Sequence, residues 1–543
     1  METNRVVREL ADWAWARVLE RDPATAARTG QQVETLPRGG AGQLEADVGD
    51  AQWALEKLGT LDTADLSADD QLTAGFLADH FRQEVAEASR FWFRFPVTPY
   101  NASMLSTYRS DIFGTAALDT ASDADRYLSL LDDYAAVVDQ LLVTLQGQSH
   151  RGIALPAWSI DAVTNTIRAH ADASGDLAPG QERLGRLAYG PAGRLTDRVR
   201  QLIEGPISGA YERLLAYLAA ETGSEGVGIG QFPGGAECYA DLLYGHTGLA
   251  VTPDHVHELG LSEVDRLTDR IHSALGITDE VAYRQRLQSD PRLYATDPAD
   301  LERRFQAHID RLGDRLSGWF REIPAAPFRL RRLDVALEAG STFGYYEPPG
   351  VDECGYYHYN GSDLAHRPLL QSASMIYHEG MPGHHLQIGR QLESTALHPI
   401  RREASELRTF ALSGYFEGWA EYAAGLGVEM GLYEDPFDLY GRLCSERFHA
   451  ARMVVDTGLA VRGWTLARAG DFLRTNGFLS ATEIRTELVR YAVDDPGQAV
   501  AYHLGHRFLA DLRGTRDPRD FHETVLSGGP LPLSLLASLT NAD

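Results

Sequence analysis

The residues best suited by type and spacing to do chemistry lie between Tyr377 and Gln387, in the segment YHEGMPGHHLQ. In a zinc-hydrolase helix, histidines at i and i+4 sit one turn apart on one face, and the glutamate after the first serves as general base. Here position i+4 is Pro382, and the next histidines are His384 and His385, at i+6 and i+7 from His378. On a straight helix i+7 stands about 10 Å up the axis, at about 1.5 Å rise per residue. Two metal–nitrogen bonds of about 2.1 Å do not span that gap. Proline breaks the helix hydrogen-bond ladder and glycine permits the compensating torsions, so Pro382 and Gly383 together can form a bulge that absorbs two residues. Without them the segment reads His-Glu-Gly-Met-His, the ordinary zinc spacing. His378 and His384 then become ligands and Glu379 the base, with His385 supporting the site from outside or facing substrate. The competing reading is a helix end with solvated histidines.

Downstream, in LRTFALSGYFEGWAEYAAG, the positions Leu407, Phe410, Gly414, Glu417 and Glu421 step by three and four and share one helical stripe. Carboxylates on such an apolar stripe are costly unless paired or metal-bound. Glu417 suits the third ligand of a His-His-Glu site with an open position for water, and Glu421, one turn on, can orient a ligand histidine. The alternative pairs both with Arg401, Arg402 or Arg408. A third constellation, DPGQAVAYHLGH, places Asp495 as helix N-cap and Pro496 at the first helical position. Gln498, Tyr502, Gly505 and Leu509 then share a face, and Tyr502, or His503 beside it, can stabilise an oxyanion. The bland reading is a helix contact with a satisfied tyrosine.

Taken together, HEGMPGHHLQ, EGWAEY and PGQAVAYHLG resemble the DUF885 family, which is grouped with the zincin-like metallopeptidases. FPGGAECYADLL, YYEPPGVDECGYYHYN and RMVVDTGLAVRGW extend the resemblance over nearly the whole chain. It implies a largely helical, two-lobed, gluzincin-like fold with a deep cleft, with His378, His384 and Glu417 as ligands and Glu379 as base. It also implies that GYYHYN is an edge strand near the cleft, where Tyr357, Tyr359 and Asn360 meet an extended substrate. After DTGL the family pattern has His where this chain has Ala460. Arg452 and Asp456 remain on that segment, as substrate contacts or as an Arg–Asp structural pair.

The elements that must position these residues are mostly helices. Residues 1–325 show helical periodicity in VVRELADWAWARVLERD, DADRYLSLLDDYAAVVDQLLVTLQGQ, ISGAYERLLAYLAAET and LGLSEVDRLTDRIHSAL. Breaks rich in Pro and Gly fall around 150–156, 189–193, 228–236 and 347–355. Strand signals are confined to Phe328–Leu337 and Gly355–Asn360. The expected architecture is mainly α with a small sheet beside the cleft, divided into a helical region 1–325 and a catalytic region 326–543 of one intertwined unit.

Composition narrows the function. With 50 basic and 77 acidic residues the net charge is −27, which argues against nucleic acid or an anionic membrane as partner. Lys57 is the only lysine and follows no glycine loop, against a Walker A site, a kinase or Schiff-base chemistry. Cys238, Cys354 and Cys444 are too far apart for a disulfide framework or a cysteine zinc site. The N-terminus lacks a signal-peptide pattern and no apolar run reaches about 18 residues, so a cytoplasmic location is expected. There is no G-x-S-x-G elbow, and Ser374 lacks a triad context. The expectation is a zinc-dependent hydrolase of short peptides or small amides. The alternatives are a metal-dependent tailoring enzyme (cyclisation, transfer or deacylation) and a non-catalytic descendant that binds in the cleft.

Overall fold

Among the described residues, helices supply nearly all the regular structure, in keeping with the hydrophobic periodicity, and three short strands form a single sheet. The computed structural model describes residues 2–100, 102–187, 189–338, 344–350, 354–404 and 412–540. The chain divides into two units, one of Met1–Asp62 with His80–Cys238 and one of Thr63–Asp79 with Tyr239–Asp543. Position 325 falls inside the second.

The first unit is built on the helix Ala121–Ser149, started by a reciprocal cap between Thr120 and Asp123. It packs against the helices Tyr189–Leu202 and Ser208–Ala220, and Tyr134 and Tyr211 join their hydroxyls across the contact at 2.8 Å. The expected break at 189–193 is instead the start of a helix. Pro191 lies in its first turn, where a missing N–H costs nothing.

The second unit holds every candidate residue. Its relevant elements are α1 (Pro253–Leu275), α2 (Pro298–Asp310), β1 (Phe328–Arg332), β2 (Tyr345–Glu347), β3 (Gly355–Tyr359), α3 (Ser372–Glu379), α4 (His384–Glu393), α5 (Ser413–Leu426), α6 (Pro436–Val461), α7 (Ala481–Val489) and α8 (Val500–Arg513). Helix α6 starts at the Asp435 cap with Pro436 in its first turn and is buried on every side from Tyr440 to Ala460. A helix so placed can carry charge only if each charge finds a partner, and α6 carries Arg442, Glu446, Arg447, His449, Arg452 and Asp456. Helices α5 and α8 meet backbone to backbone: a Cβ on Gly418 would lie 2.7 Å from the Cα of Gly505. Those glycines thus set how closely EGWAEY and YHLG approach.

The strand order is β1–β3–β2, with β1 parallel and β2 antiparallel to β3. Strand β3, expected at an edge, is therefore central. Both its sides are taken, by Phe328↔Gly355 through Arg332↔Tyr359 and by Tyr345↔His358 through Glu347↔Tyr356. Strand β2 was not legible because three residues are too few for a period. Helix α8 begins at Val500, so Gln498 lies in the preceding turn rather than on the helix with Tyr502. Gly497, at φ +90°, interrupts the path from Asp495 and Pro496. Leu407, Arg408 and Phe410 lie outside the described residues. No helix among the described residues is long and apolar enough to cross a membrane. Cys238, Cys354 and Cys444 are buried and form no disulfide.

Candidate metal centre

The Pro-Gly interruption is a full break between two helices. Helix α3 ends at Glu379, four residues turn the chain, and α4 starts at His384. The turn is held by the His385 amide, which donates to the Gly380 carbonyl at 3.1 Å, and by the Trp419 indole, which donates to the Pro382 carbonyl at 3.1 Å. Position 383 must be glycine, since a Cβ there would lie 1.9 Å from the His378 carbonyl oxygen. The break brings the His378 and His384 rings to 4.8 Å between centroids, edge to face. Their Nε2 atoms lie 3.3 and 3.5 Å from one oxygen, Oε2 of Glu417 on α5.

These three groups suit a cation. Their ligand atoms all lie within 4.8 Å of one another. Tetrahedral bonds of about 2.1 Å put neighbouring ligands about 3.4 Å apart, which matches the two measured separations. Glu417 Oε2 is buried without an aligned hydrogen bond, an arrangement costly for a carboxylate unless a positive charge sits against it. Burial opposes a charged imidazole at His378, yet the Glu417 and Glu421 carboxylates push it up to about 10. Burial likewise opposes charge on Glu417, but His378 and His384 hold its carboxyl well below the usual range.

Glu421 fixes the orientation of His378. Its Oε1 lies 2.9 Å from His378 Nδ1 and 3.2 Å from Nε2 of His449, and its Oε2 accepts from Arg442 at 2.9 Å. A proton on Nδ1 leaves Nε2 to face Glu417 and His384. Arg442, fully buried, also donates to Ser374 at 3.0 Å. Glu421 does pair with an arginine, but it is Arg442, which the sequence reading did not name, and Glu417 faces the two histidines. Arg401 pairs instead with Asp69, and Arg402 with Glu403.

Glu379 follows His378 at the end of α3 and is half-buried. Burial raises its carboxyl above the ordinary value, against the pull of His378 and His384. His385 is fully engaged elsewhere: Nε2 faces the Ala326 carbonyl at 2.8 Å, and Nδ1 the Tyr346 hydroxyl at 3.0 Å. Of the two adjacent histidines, His384 is therefore the one that joins the centre. Tyr346 lies nearly parallel to the His384 ring at 6.3 Å.

Tyr502 stacks on His378 at 5.9 Å and on His449 at 4.9 Å. Arg490 donates to its hydroxyl at 3.2 Å and to Gln498 Oε1. His503, next along the helix and so about 100° round it, turns to Glu263 on α1 at 3.0 Å. The oxyanion role considered for it has no support in this geometry. Arg452 forms a two-pronged pair with Glu487 at 2.7 and 3.0 Å, not with Asp456. Asp456 accepts from the Tyr239 hydroxyl at 2.7 Å and from the Gly497 amide at 3.0 Å.

The three residues expected to meet substrate on GYYHYN are structural. Tyr357 and Tyr359 share a face as alternation requires, but that face packs on Phe305 of α2, and their hydroxyls are bound to Met375 and Glu302. Asn360 closes a turn, donating to the Glu338 carbonyl and accepting from Ser362. Ala460 is buried on α6, eleven residues past His449, or about 16 Å along the axis at 1.5 Å per residue. That distance removes it from the metal ligands. Reasoning on sequence missed His449, Arg442, Tyr346 and Arg490. The first two were accessible, because Arg442, Glu446 and His449 step by four and three on one face of α6.

The family profile of DUF885, bacterial proteins of unknown function, matches residues 23–539. No protein of curated function matches the sequence. Among solved structures, a candidate lipoprotein from Colwellia psychrerythraea superposes with a TM-score of 0.83 at 22% identity, covering 100% of this chain and 99% of that one. A candidate lipoprotein of unknown function from Shewanella oneidensis gives a TM-score of 0.72 at 16% identity, covering 99% of each chain. These likenesses establish a shared fold. The chain belongs to the DUF885 family.

Proposed function

We propose that this member of the DUF885 family is a zincin-like, metal-dependent hydrolase of peptide or amide bonds. The observation that carries the reading is the convergence of His378, His384 and Glu417 on one point, with Glu379 adjoining the first ligand and Glu421 orienting it. Zinc is the metal best suited to two imidazoles and a carboxylate in tetrahedral array. A divalent ion held there supplies a Lewis acid that polarises a carbonyl and brings the pKa of water to about 7.

The chain's own residues supply the proton traffic. Glu379, with its proton affinity raised by burial, accepts the proton of the attacking water and passes it to the leaving nitrogen. Tyr502, held against His378 by stacking, donates to the carbonyl oxygen as negative charge develops. The Arg490 N–H that points at the Tyr502 oxygen makes that phenol a stronger donor.

Elemental mass spectrometry of the native protein and of His378→Ala tests the centre. About one zinc per chain, lost in the variant, is the expected result. Glu379→Gln should keep the metal and lose turnover of a peptide and amide panel by about 10²-fold or more. Full activity in Glu379→Gln, or a reconstituted native protein that holds no metal, would refute the assignment.

A further inference from the structure

Arg490, beside Tyr502, makes no direct ion pair with a carboxylate of the described residues, and Glu487 acts on it only from a distance. Its Nη2 donates to two neutral oxygens, those of Gln498 and Tyr502. Its Nε and Nη1 bond to nothing among the described residues, and neither is sealed in the interior. The nearby acids are otherwise engaged. Glu487 is taken by both prongs of Arg452 and by the Tyr491 hydroxyl. Asp456 is held by Tyr239 and Gly497, and Asp495 lies 3.3 Å from His246. Two guanidiniums, Arg452 and Arg490, therefore share the single carboxylate of Glu487. A half-buried guanidinium left with only a shared, distant carboxylate has capacity for an anionic visitor.

Its position says what that visitor is. The Arg490 guanidinium carbon lies 5.6 Å from the Tyr502 ring, and that ring lies 5.9 Å from the His378 ring. An extended peptide covers about 3.3–3.6 Å per residue, so one or two residues bridge from a carbonyl at the metal centre to Arg490. We propose that Arg490 receives the free C-terminal carboxylate of a short peptide, making the enzyme an exopeptidase that cuts one or two residues from that end. This rests on the hydrolase reading for the bond cut, though not for the binding of the carboxylate. Water adds to the scissile carbonyl, the C–N bond breaks, and the products are a shortened acid and a free amino acid or dipeptide.

The test compares N-acetyl-tetra-alanine with its C-terminal amide on the zinc-loaded enzyme, with products read by mass spectrometry. The native enzyme should cut the acid at one of its last two bonds with kcat/KM at least about tenfold above the amide. Arg490→Met should erase that ratio by losing the acid preference, and Arg490→Lys should restore part of it. Equal cleavage of acid and amide by the native enzyme would overturn the proposal without any variant being made. An equal loss on both substrates in Arg490→Met would also overturn it, since Arg490 would then serve only to hold Tyr502. A second readout needs no turnover: the affinity of N-acetyl-alanyl-alanine and of its amide for Glu379→Gln protein, measured by calorimetry with and without zinc. An acid preference of about tenfold that disappears with Arg490→Met supports the carboxylate site even if no metal binds. Its absence in metal-loaded protein sinks the proposal while leaving the metal centre intact.

Discussion

Replacing Glu421 with glutamine isolates the link between α5 and the metal centre. The carboxylate serves His378 and His449 through Oε1 and Arg442 through Oε2. An amide cannot repeat this. With its oxygen toward His378, its NH2 meets the Arg442 guanidinium, donor against donor, in the interior. With its NH2 toward His378, the imidazole must present an unprotonated Nδ1 and carry its proton on Nε2, the atom that faces Glu417 and His384. The first orientation takes from buried Arg442 its nearest carboxylate and leaves it only Glu446 at 3.8 Å, at a cost of up to about 3–5 kcal/mol. The second removes a ligand lone pair. Loss of a partner of this kind weakens metal binding about 10–100-fold, or about 1.4–2.7 kcal/mol. Zinc affinity is read by competition with a chromophoric chelator, and stability by thermal unfolding of the same samples. The double variant Glu421→Gln/Arg442→Met should recover part of the stability, since it removes the under-paired cation while Glu446 keeps Arg266 and Arg270, yet keep the weakened zinc affinity. An unchanged zinc Kd in Glu421→Gln would refute the reasoning, because His378 would then need no orienting carboxylate.

Three further outcomes follow from the same geometry. Tyr502→Phe keeps the ring stacked on His378 and His449 and removes only the hydroxyl, so zinc content should hold while kcat falls about 10²-fold; a proportional loss of metal would show that the ring, not the hydroxyl, matters. Gly383→Ala sets a methyl 1.9 Å from the His378 carbonyl oxygen, so the turn must shift, and both zinc content and the unfolding midpoint should drop, the latter by at least about 1–3 kcal/mol equivalent. Asp456 has its carboxyl pushed up to about 7 by burial, with the Tyr239 and Gly497 hydrogen bonds pulling the other way. Its neutral form contributes stability that is complete below about pH 4 and is lost as pH rises through about 7. Native protein should therefore lose about 1.4 kcal/mol per pH unit across that window relative to Asp456→Asn, and parallel unfolding curves for the two would show that Asp456 titrates normally.

Much of the ligand set was legible because it is local in the chain. His378, Glu379 and His384 lie within seven residues, and Glu417 and Glu421 lie one helical turn apart. In such stretches the rise per residue and the demands of a tetrahedral ion leave few arrangements. Spacing favoured His384 over His385, but what holds His385 away was not legible, because the Ala326 carbonyl and the Tyr346 hydroxyl arrive from other parts of the chain. GYYHYN was recognisable as a strand from its β-formers, but whether β3 would be central or at an edge was decided by β2, too short to show a pattern.

By itself the sequence determined a mainly helical protein with a small sheet and marked the break that lets two histidines meet. Hydrophobic period, Pro and Gly act over single turns, so their consequences can be read along the chain. Tertiary structure alone decided the partners of the buried charges: Glu421 with Arg442, His503 with Glu263, Arg452 with Glu487, and Arg490 in no direct ion pair among the described residues. A charge taken from water must find its compensation among whatever groups helix packing brings within a few ångströms, and those groups here lie from tens to hundreds of residues away in the chain.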